Sequence, residues 1–351
     1  MKSLIEIPKT MKALVLHEIG KLTLDEVPVE PLRPGTVLVK IKACGICSSD
    51  VERVFINGTY HFPTIPGHEF SGQIVAVGDD VDESLLGRRT CVFPMLPCFE
   101  CPSCKKQQYA QCSHYDYFGS RRDGGYEYLV VPTWNLVLFD DDLSYDVAAM
   151  CEPAAVGIHA NGLANVQKGQ SVLVIGTGMI GYVCAAFASQ ITDKVIMCGN
   201  SAAKRELAKK YGWETIALET DNFEERINAL TDGEGVDVVM EVVGSNQAIC
   251  NAVAAAGPNS TIVLVGNPKA DLTMEKNLYW KILRKSITLR GSWNSSYNDK
   301  QNDWKTALDR LKGGEFDQLI THRFPMEESE EAFRVMRDRN TFSTKVMFVM
   351  E

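Results

Sequence analysis

The segment Ser171–Gly181, SVLVIGTGMIG, constrains the fold of this chain more than any other stretch. Its apolar run Val172–Ile175 predicts a buried β-strand, and an apolar helical run, Tyr182–Ala188, follows the glycines directly. Glycines at such a junction permit a tight turn, a close approach of a pyrophosphate to the backbone and close packing of helix on strand. The segment therefore predicts a dinucleotide-binding unit in which the phosphates lie at the N-terminus of the helix.

Alternation of short apolar strands with helical runs continues from Ser171 to about Gly291, which is typical of an α/β, doubly wound parallel sheet. The predicted strands and helices are Val195–Met197, Ala202–Lys210, Glu224–Leu230, Val236–Glu241, Thr261–Val265 and Ile287–Leu289. Residues 11–43 instead show short alternating runs broken by proline and glycine, which predicts a β-rich domain. We expect this domain over residues 1–155, the dinucleotide-binding domain over 156–295, and a return of residues 296–351 to the first domain, ending in a strand at Lys345–Val349.

Charge and cysteine content narrow the classes of partner. The 351 residues carry a formal net charge of −9 and no basic run, which argues against nucleic acid or an anionic membrane as a partner. We find no apolar run near the length of a membrane span and no secretory signal, so we predict a cytoplasmic protein. Eleven cysteines in such a chain indicate metal sites or buried thiols rather than disulfides.

Four of these cysteines form the strongest local signal. The pattern is Cys-x2-Cys-x2-Cys-x7-Cys, and its members are Cys98, Cys101, Cys104 and Cys112. Four thiolates can close a tetrahedron around Zn²⁺, and a closed site of this kind is structural because it leaves no position for a substrate. An iron–sulfur cluster is the alternative, but the Cys-Pro spacing of a ferredoxin run is missing.

A second group of metal-type ligands comes from two separate motifs. The first is Ala43–Asp50, which contains Cys44 and Cys47, and the second is Pro66–Gly72, which contains His68. Thiolate and imidazole are ligands that Zn²⁺ prefers, and a catalytic zinc site needs three protein ligands with one position open. We interpret the two motifs as half of such a site. A redox pair of cysteines, or an ordinary buried cysteine and core histidine, are the alternatives.

Three charged residues outside these motifs are also candidates. Glu152 lies in a mostly apolar stretch, Ala148–His159, and a buried carboxylate needs a metal or a hydrogen-bond partner. Arg121 and Arg122 are adjacent in a glycine-flanked loop and offer paired N–H donors to a phosphate or carboxylate. A solvated loop with a surface Arg–Asp pair is the alternative for the two arginines.

Together, these motifs resemble the zinc-containing medium-chain dehydrogenases, the alcohol and polyol dehydrogenase family. The resemblance covers nearly the whole chain, because CSSD, GHEFSG, the four-cysteine lobe, Glu-Pro with GIHA, and GTGMIG occur in the family's order. It implies a GroES-like β-rich catalytic domain, a Rossmann domain and two zinc ions per chain. The four-cysteine lobe would hold the structural zinc, and the implied ligands of the catalytic zinc are Cys47, His68, Glu69 and Glu152.

The polyol-phosphate members of the family are the most similar, through the segments PMLPCFECPSC, FGSRRDGG and KILRKSITLRGSW. This likeness implies interconversion of a polyol phosphate like galactitol 1-phosphate and a ketose phosphate like tagatose 6-phosphate, with Ser49 passing the proton. It also gives Arg121 and Arg122 a role in binding the substrate phosphate. A dehydrogenase of unphosphorylated polyols or simple alcohols is the alternative, and a zinc-free or non-catalytic nucleotide-binding relative is an alternative of another class. The family implies a homodimer or homotetramer.

The resemblance also implies the residues that bind NAD or NADP. These are Gly176, Gly178, Met179, Ile180, Gly181, Gly199, Asn200, Ser201, Lys204, Gly266 and Lys345. NAD-dependent members end the second Rossmann strand with an acidic residue, but Gly199 holds that place here. Because Lys204 and Arg205 follow, we favour NADP(H), or use of both cofactors, over strict use of NAD. The alternative is that these two cations only begin a solvated helix.

Overall fold

The computed structural model describes residues 2–338 and 340–350 and divides the chain into two compact units. One unit comprises the residues up to Glu152 and those from Ser296 onward, and the other is Pro153–Ser295. None of the helices in the described part of the chain combines the length and the apolar character needed to cross a bilayer.

Strands dominate the first unit and alternate with helices in the second. The strands are β1 (Lys2–Ser3), β2 (Thr10–Glu18), β3 (Lys21–Pro28), β4 (Thr36–Ile46), β5 (Glu69–Val77), β6 (Arg89–Val92), β7 (Met95–Leu96), β8 (Asp116–Tyr117), β9 (Tyr128–Pro132), β10 (Leu136–Phe139), β11 (Val172–Ile175), β12 (Val195–Gly199), β13 (Glu214–Ala217), β14 (Val236–Glu241), β15 (Ala256–Leu264), β16 (Thr288–Gly291), β17 (Ile320–Phe324) and β18 (Lys345–Val349). The helices are α1 (Ser48–Glu52), α2 (Pro102–Lys105), α3 (Tyr145–Ala149), α4 (Cys151–Ala164), α5 (Met179–Ala188), α6 (Ala202–Lys210), α7 (Phe223–Leu230), α8 (Asn246–Ala255), α9 (Lys276–Arg284), α10 (Asp303–Leu311) and α11 (Ser329–Arg337).

The main sheet of the first unit brings three distant parts of the chain together. Its order is β10–β6–β5–β4–β18–β17, so β4 lies between β5 and the C-terminal strand β18. Both neighbours run antiparallel to β4, with Gly45 opposite Glu69 and Val346 opposite Ile46. The end of β4, the start of β5 and the start of β18 therefore meet at one edge, above a core of buried aliphatic and aromatic side chains.

The second unit is a six-stranded parallel sheet in the order β13–β12–β11–β14–β15–β16. All four residues of β11 are buried, as expected for a strand with helices on both faces of the sheet. Burial of each such aliphatic side chain stabilises the fold by about 1.5–3 kcal/mol. The predicted doubly wound sheet is confirmed. Its strand order reverses between β11 and β14, where sheets of this type bind their ligands.

The glycine turn explains where helix α5 begins, next to the predicted dinucleotide site. Helix α5 begins at Met179, three residues before the predicted helical run, and Gly178 is its N-cap residue with extended backbone angles. Glycine is accepted at an N-cap, so the turn passes directly into the helix. The first N–H groups of α5 therefore lie beside the turn.

Candidate metal and cofactor sites

The four cysteines of the predicted structural zinc lobe form one compact cluster. Their sulfur atoms all lie within 4.8 Å of one another, and three of them are buried. The Sγ atoms of Cys98 and Cys112 are 3.5 Å apart, and those of Cys101 and Cys112 are 3.9 Å apart. Helix α2 supplies Cys104, and a proline directly after Cys101 begins that helix. The donor set therefore fits one tetrahedral Zn²⁺.

Backbone N–H groups around this lobe lower the pKa of two of its cysteines, Cys98 and Cys101. The N–H of Cys101 donates to Cys98 Sγ at 3.4 Å, and the N–H groups of Cys98 and His114 donate to Cys112 Sγ at 3.3 and 3.4 Å. Backbone hydrogen bonds from Cys104 and Ser113 are the main cause that lowers the pKa of Cys101 to about 5. These two cysteines are thus favoured in the thiolate form, the form that binds metal, whereas burial raises the pKa of Cys104.

A second group of possible metal ligands consists of Cys47, His68 and Glu69, whose ligand atoms also lie within 4.8 Å of one another. Cys47 follows β4 directly as the N-cap residue of α1, and Glu69 is the first residue of β5. Opposite Glu69, a Cβ on Gly45 would lie 2.1 Å from the carboxylate, so glycine is needed there. Cys44 is buried outside this group, with its sulfur against Gly67.

Glu152 is buried and lies outside the group of three. It is the second residue of α4, and Tyr117 donates a hydrogen bond to its Oε1 at 3.3 Å. Burial raises the pKa of Glu152 to about 7, opposed by His68 and reinforced by Glu69, so its carboxylate lies in the field of both. Tyr117 also packs its ring against His68, with 5.8 Å between ring centroids.

Asp50 and Arg53 lie against the candidate ligand His68 and against Ser49, and the sequence did not single them out. The Asp50 carboxylate is buried 3.4 Å from His68 Nδ1, which leaves Nε2 as the nitrogen available to a metal. Burial raises the pKa of Asp50, but His68 and Arg53 lower it more, to about 2. Arg53 Nη1 donates to Asp50 Oδ1 at 2.8 Å and to Ser49 Oγ at 3.0 Å. The aspartate three residues after Cys47 was the available signal, because metal-ligating histidines usually face a carboxylate.

Lys345, which we predicted to bind the cofactor, has a different partner in the structure. Its Nζ atom lies 2.5 Å from Glu69 Oε2, and both side chains are buried. The Ile46 carbonyl is 3.4 Å from the same nitrogen. The cause is the sheet order: β18 pairs with β4, so its first residue lies beside the start of β5.

The glycine turn has the shape that a dinucleotide pyrophosphate requires. Gly176 has a φ of 121°, which favours glycine. A Cβ on Gly181 would lie 2.0 Å from the Gly176 carbonyl oxygen, whereas a Cβ on Gly178 would meet nothing within 4 Å. Met179 and Ile180 form the first turn of α5. The open space over Gly178, beside a helix N-terminus, fits the phosphates.

The other predicted cofactor positions in the second unit lie at or just after the ends of two strands of the parallel sheet, β12 and β15. Gly199 ends β12, and Ser201 caps α6 by accepting the N–H of Lys204 at 3.4 Å. Asn200 and Gly199 offer their carbonyl oxygens to Arg205. Gly266 follows β15 and donates its N–H to the Glu241 carbonyl at 3.1 Å. A carboxylate oxygen of the same glutamate accepts the N–H groups of Val243 and Gly244, both at 2.8 Å, so it shapes this edge of the sheet.

The two adjacent arginines have different surroundings. Arg122 Nη2 donates to both carboxylate oxygens of Glu30, at 3.0 and 3.2 Å. The guanidinium of Arg121 instead lies over two aromatic rings, 4.2 Å from the centroid of Tyr60 and 4.9 Å from that of Tyr115. The Tyr115 ring contacts Tyr117 edge-on. In this series of contacts, Tyr115 and Tyr117 therefore lie between Arg121 and His68.

Comparison with known proteins gives consistent matches over the whole chain. Two family models match, an alcohol dehydrogenase GroES-like domain over residues 33–141 and a zinc-binding dehydrogenase over residues 176–313. Galactitol 1-phosphate 5-dehydrogenase of Escherichia coli (strain K12) is 36% identical over 350 residues, covering 97% of this chain and 100% of that protein. The crystal structure of galactitol-1-phosphate dehydrogenase from Escherichia coli matches with a TM-score of 0.90 at 35% identity, with coverage of 97% and 100%.

Two further similar proteins are a dehydrogenase of an unphosphorylated polyol and a dehydrogenase whose structure contains NADP. Sorbitol dehydrogenase of Bacillus subtilis (strain 168) is 29% identical over 346 residues, covering 95% of this chain and 96% of that protein. A protein described as a zinc-binding dehydrogenase from Sinorhizobium meliloti 1021, in a structure bound to NADP, matches with a TM-score of 0.89 at 26% identity. That match covers 98% of this chain and 100% of the other.

Proposed function

Because the chain belongs to the zinc-containing medium-chain dehydrogenase family, and is thus a zinc-dependent, NAD(P)-linked alcohol or polyol dehydrogenase, we propose that its substrate is a polyol phosphate. The reaction is the reversible oxidation of a secondary hydroxyl of a galactitol 1-phosphate-like polyol to a tagatose 6-phosphate-like ketose phosphate. The single observation that carries this proposal is the placement of Arg121, a cation beside the aromatic rings that lead to His68.

We assign the substrate phosphate to Arg121 rather than to Arg122. The charge of Arg122 is balanced by Glu30, which binds it through both carboxylate oxygens. In the part of the chain that the structure describes, no carboxylate pairs with Arg121, and Tyr60 and Tyr115 hold its guanidinium plane. A guanidinium without a carboxylate partner can offer N–H donors to a phosphate, with which it forms strong paired hydrogen bonds.

The residues of the first unit have distinct roles in the proposed reaction. Cys47, His68 and Glu69 would hold the catalytic zinc, with Glu152 as the further carboxylate. When bound, zinc acts as a Lewis acid toward the substrate hydroxyl, and the nicotinamide accepts the hydride. Ser49 is the hydroxyl that we assign to carry the substrate proton toward solvent. Its oxygen accepts a hydrogen bond from Arg53, so its own proton is available to be passed on.

Lys345 has a role in this scheme through Glu69. The buried ammonium of Lys345 contacts one oxygen of Glu69 and so places a positive charge beside the carboxylate that neighbours Cys47 and His68. The other carboxylate, Glu152, accepts a hydrogen bond from Tyr117, a neutral donor. We therefore propose Glu69 as the direct ligand in this arrangement and Glu152 as the carboxylate that faces the substrate side.

A substrate screen tests the proposal directly. Purified enzyme is assayed with galactitol 1-phosphate, galactitol and sorbitol, each with NAD⁺ and NADP⁺. We expect the phosphorylated polyol to have the highest kcat/KM. An equal or higher value for galactitol or sorbitol would reject the phosphate and favour the alternative of an unphosphorylated polyol, in line with the similarity to a sorbitol dehydrogenase.

Two neighbouring arginine variants make the screen specific to the site. Arg121→Ala should raise KM for the polyol phosphate about 10- to 100-fold, the effect of losing a hydrogen bond to a charged group, with little change for galactitol. Arg122→Ala is the matched control, because its charge is already paired with Glu30. Equal effects of the two substitutions would contradict the assignment of the phosphate to Arg121.

We also propose a homodimer or homotetramer formed through the edge of the parallel sheet. Strand β16 ends the sheet, and all four of its residues are exposed. Leu289 on this strand is 47% exposed, and Tyr279 and Leu283 on α9 are 53% and 60% exposed. An open strand edge with apolar side chains favours pairing with a second copy. Light scattering should give a dimer or tetramer, and Leu289→Lys should shift it toward monomer.

The cysteines support a cytoplasmic location. All eleven cysteines are free thiols in the structure, and seven of the described cysteine, histidine and glutamate side chains form the two metal clusters. Thiolate metal sites persist where the compartment keeps thiols reduced. We therefore propose that the enzyme works in the cytoplasm, which cell fractionation would test.

A further inference from the structure

The end of β12 has no room for the acidic residue that binds ribose hydroxyls in NAD-specific folds. That residue belongs at position 199, where this chain has glycine. A Cβ built on Gly199 would lie 2.7 Å from Thr177 Oγ1 and 2.8 Å from Thr177 Cγ2. Thr177 is buried between Gly176 and Gly178, so it cannot simply turn into solvent. A side chain at position 199 therefore requires the buried Thr177 side chain to shift or to be made smaller.

Positive charge takes the place of the missing carboxylate. Arg205 Nη1 donates to the carbonyl oxygens of Gly199 and Asn200, at 2.6 and 2.7 Å. This arrangement fixes the loop after β12 and holds a cation beside it. Lys204, the preceding residue on α6, is half-buried, and burial lowers the pKa of its ammonium group. Among residues 2–338 and 340–350, the structure pairs no carboxylate with Lys204.

We propose that Thr177 and Gly199 together exclude a carboxylate from the ribose 2′ position and that Lys204 and Arg205 make the enzyme prefer NADP(H) to NAD(H). A 2′-phosphate carries close to two negative charges, so it gains from the two cations that follow Ser201. The same position gives no carboxylate to accept the 2′-hydroxyl of NAD, since Gly199 has no side chain. This inference rests on the dinucleotide-binding fold and is independent of the identity of the polyol.

Binding measurements without substrate test the role of the cations. Calorimetric titration of the zinc-loaded enzyme should give a dissociation constant for NADP⁺ at least about tenfold lower than for NAD⁺. Lys204→Ala should weaken NADP⁺ binding about tenfold or more and leave NAD⁺ binding nearly unchanged, as expected for loss of a charge-assisted hydrogen bond. Lys209→Ala is the matched control, because this exposed lysine on the same helix is paired with Glu206.

Arg205→Ala separates a charge effect from a structural one. Because Arg205 also supports the loop, its loss should weaken both dinucleotides, but NADP⁺ at least about tenfold more than NAD⁺. Equal weakening of both would mean that the arginine only holds the loop, and it would overturn its part in the proposal. Wild-type enzyme that binds NAD⁺ as tightly as NADP⁺ would overturn the proposal as a whole.

A pair of substitutions tests the steric part. Gly199→Asp alone should weaken binding of both dinucleotides, because the new side chain meets Thr177. Thr177→Ala with Gly199→Asp removes that contact and should bind NAD⁺ more tightly than NADP⁺. Should Gly199→Asp by itself reverse the preference without loss of affinity, Thr177 would have no role. If the single variant does not fold, recovery of a folded, NAD⁺-preferring double variant supports the proposal, and retained NADP⁺ preference in that variant rejects it.

Discussion

The two groups of metal-type side chains in the first unit differ in how much of the fold is needed to build them. The four-cysteine lobe uses fifteen consecutive residues, Cys98–Cys112, and one short helix. The group of Cys47, His68 and Glu69 uses the end of β4 and the start of β5, and the C-terminal strand places Lys345 against it. One cluster is local, and the other exists only once the sheet has formed.

Because of this difference, we expect the metal of the lobe to contribute mainly to folding stability and the metal of the second group mainly to catalysis. The lobe is short and rich in loops, and the aromatic side chains of Tyr109 and Tyr115 pack against its cysteines. Its stability must come largely from the metal, because metal binding to such a segment is linked to folding. The second group sits on strands that a large core already stabilises. Loss of its metal should therefore lower the turnover rate and leave the stability of the fold nearly unchanged.

The largest effect that tests this comparison is expected for Cys47→Ser. Removal of one thiolate from the second group should lower kcat at least about 1000-fold, since a catalytic metal supplies several kcal/mol of transition-state stabilisation. The melting temperature should change little, and bound zinc should fall from two ions per chain to one. Turnover and metal analysis check both points.

Cys250→Ser is the matched control for this substitution. Cys250 is a half-buried thiol outside both clusters, so its replacement should leave turnover and zinc content unchanged. Normal turnover in Cys47→Ser would show that the Cys47 thiolate does not belong to the catalytic site. A large drop in its melting temperature would remove the distinction between the two clusters.

The opposite result is expected for Cys101→Ser. Loss of one ligand from the lobe should cost about 2–5 kcal/mol of stability, the range typical of losing a structural metal. The folded fraction should keep a normal kcat, because no residue of the lobe belongs to the second group. Thermal unfolding with metal analysis checks this. A variant that has lost one zinc but melts like the wild type would show that the lobe folds without its metal.

The comparison also explains what could be predicted from the sequence. The spacing of the four cysteines is a local pattern, so it was visible without any structure. The same holds for the glycine turn and the parallel sheet, because their periodicity is local. The partner of Lys345 was not predictable in this way, because it depends on β18 pairing with β4, about three hundred residues away in the chain.

Residues that contact the candidate metal ligands, without being ligands themselves, were also not predicted from the sequence. Asp50 and Tyr117 carry no metal-ligand spacing of their own, and their roles follow from the geometry around His68 and Glu152. Thr177 was not singled out from the sequence, because its contact with position 199 depends on two strands lying side by side. Such roles come from tertiary packing, which a single sequence does not encode at fixed spacing.

The smallest of the expected effects concerns the carboxylate behind His68. Asp50→Asn keeps the shape of the side chain but removes the charge that lies 3.4 Å from His68 Nδ1. Loss of such a carboxylate typically weakens metal binding about 10- to 100-fold, because the ring is less well oriented and its other nitrogen is a poorer donor. Competition with a chelator at fixed pH should release the catalytic zinc first and the zinc of the four-cysteine lobe as in the wild type. The lobe is thus an internal reference within the same molecule.

An exposed histidine–aspartate pair supplies the control for Asp50→Asn. His17 Nε2 lies 2.7 Å from Asp25 Oδ2 on the hairpin of β2 and β3, a two-stranded sheet separate from the one that carries the second cluster. Asp25→Asn should leave both zinc affinities unchanged, because this pair is solvated and holds no ligand. If Asp50→Asn released both ions equally, or neither more easily than Asp25→Asn, the buried carboxylate would have no specific hold on His68. The second cluster would then depend on the strands alone, without support from the helix that follows Cys47.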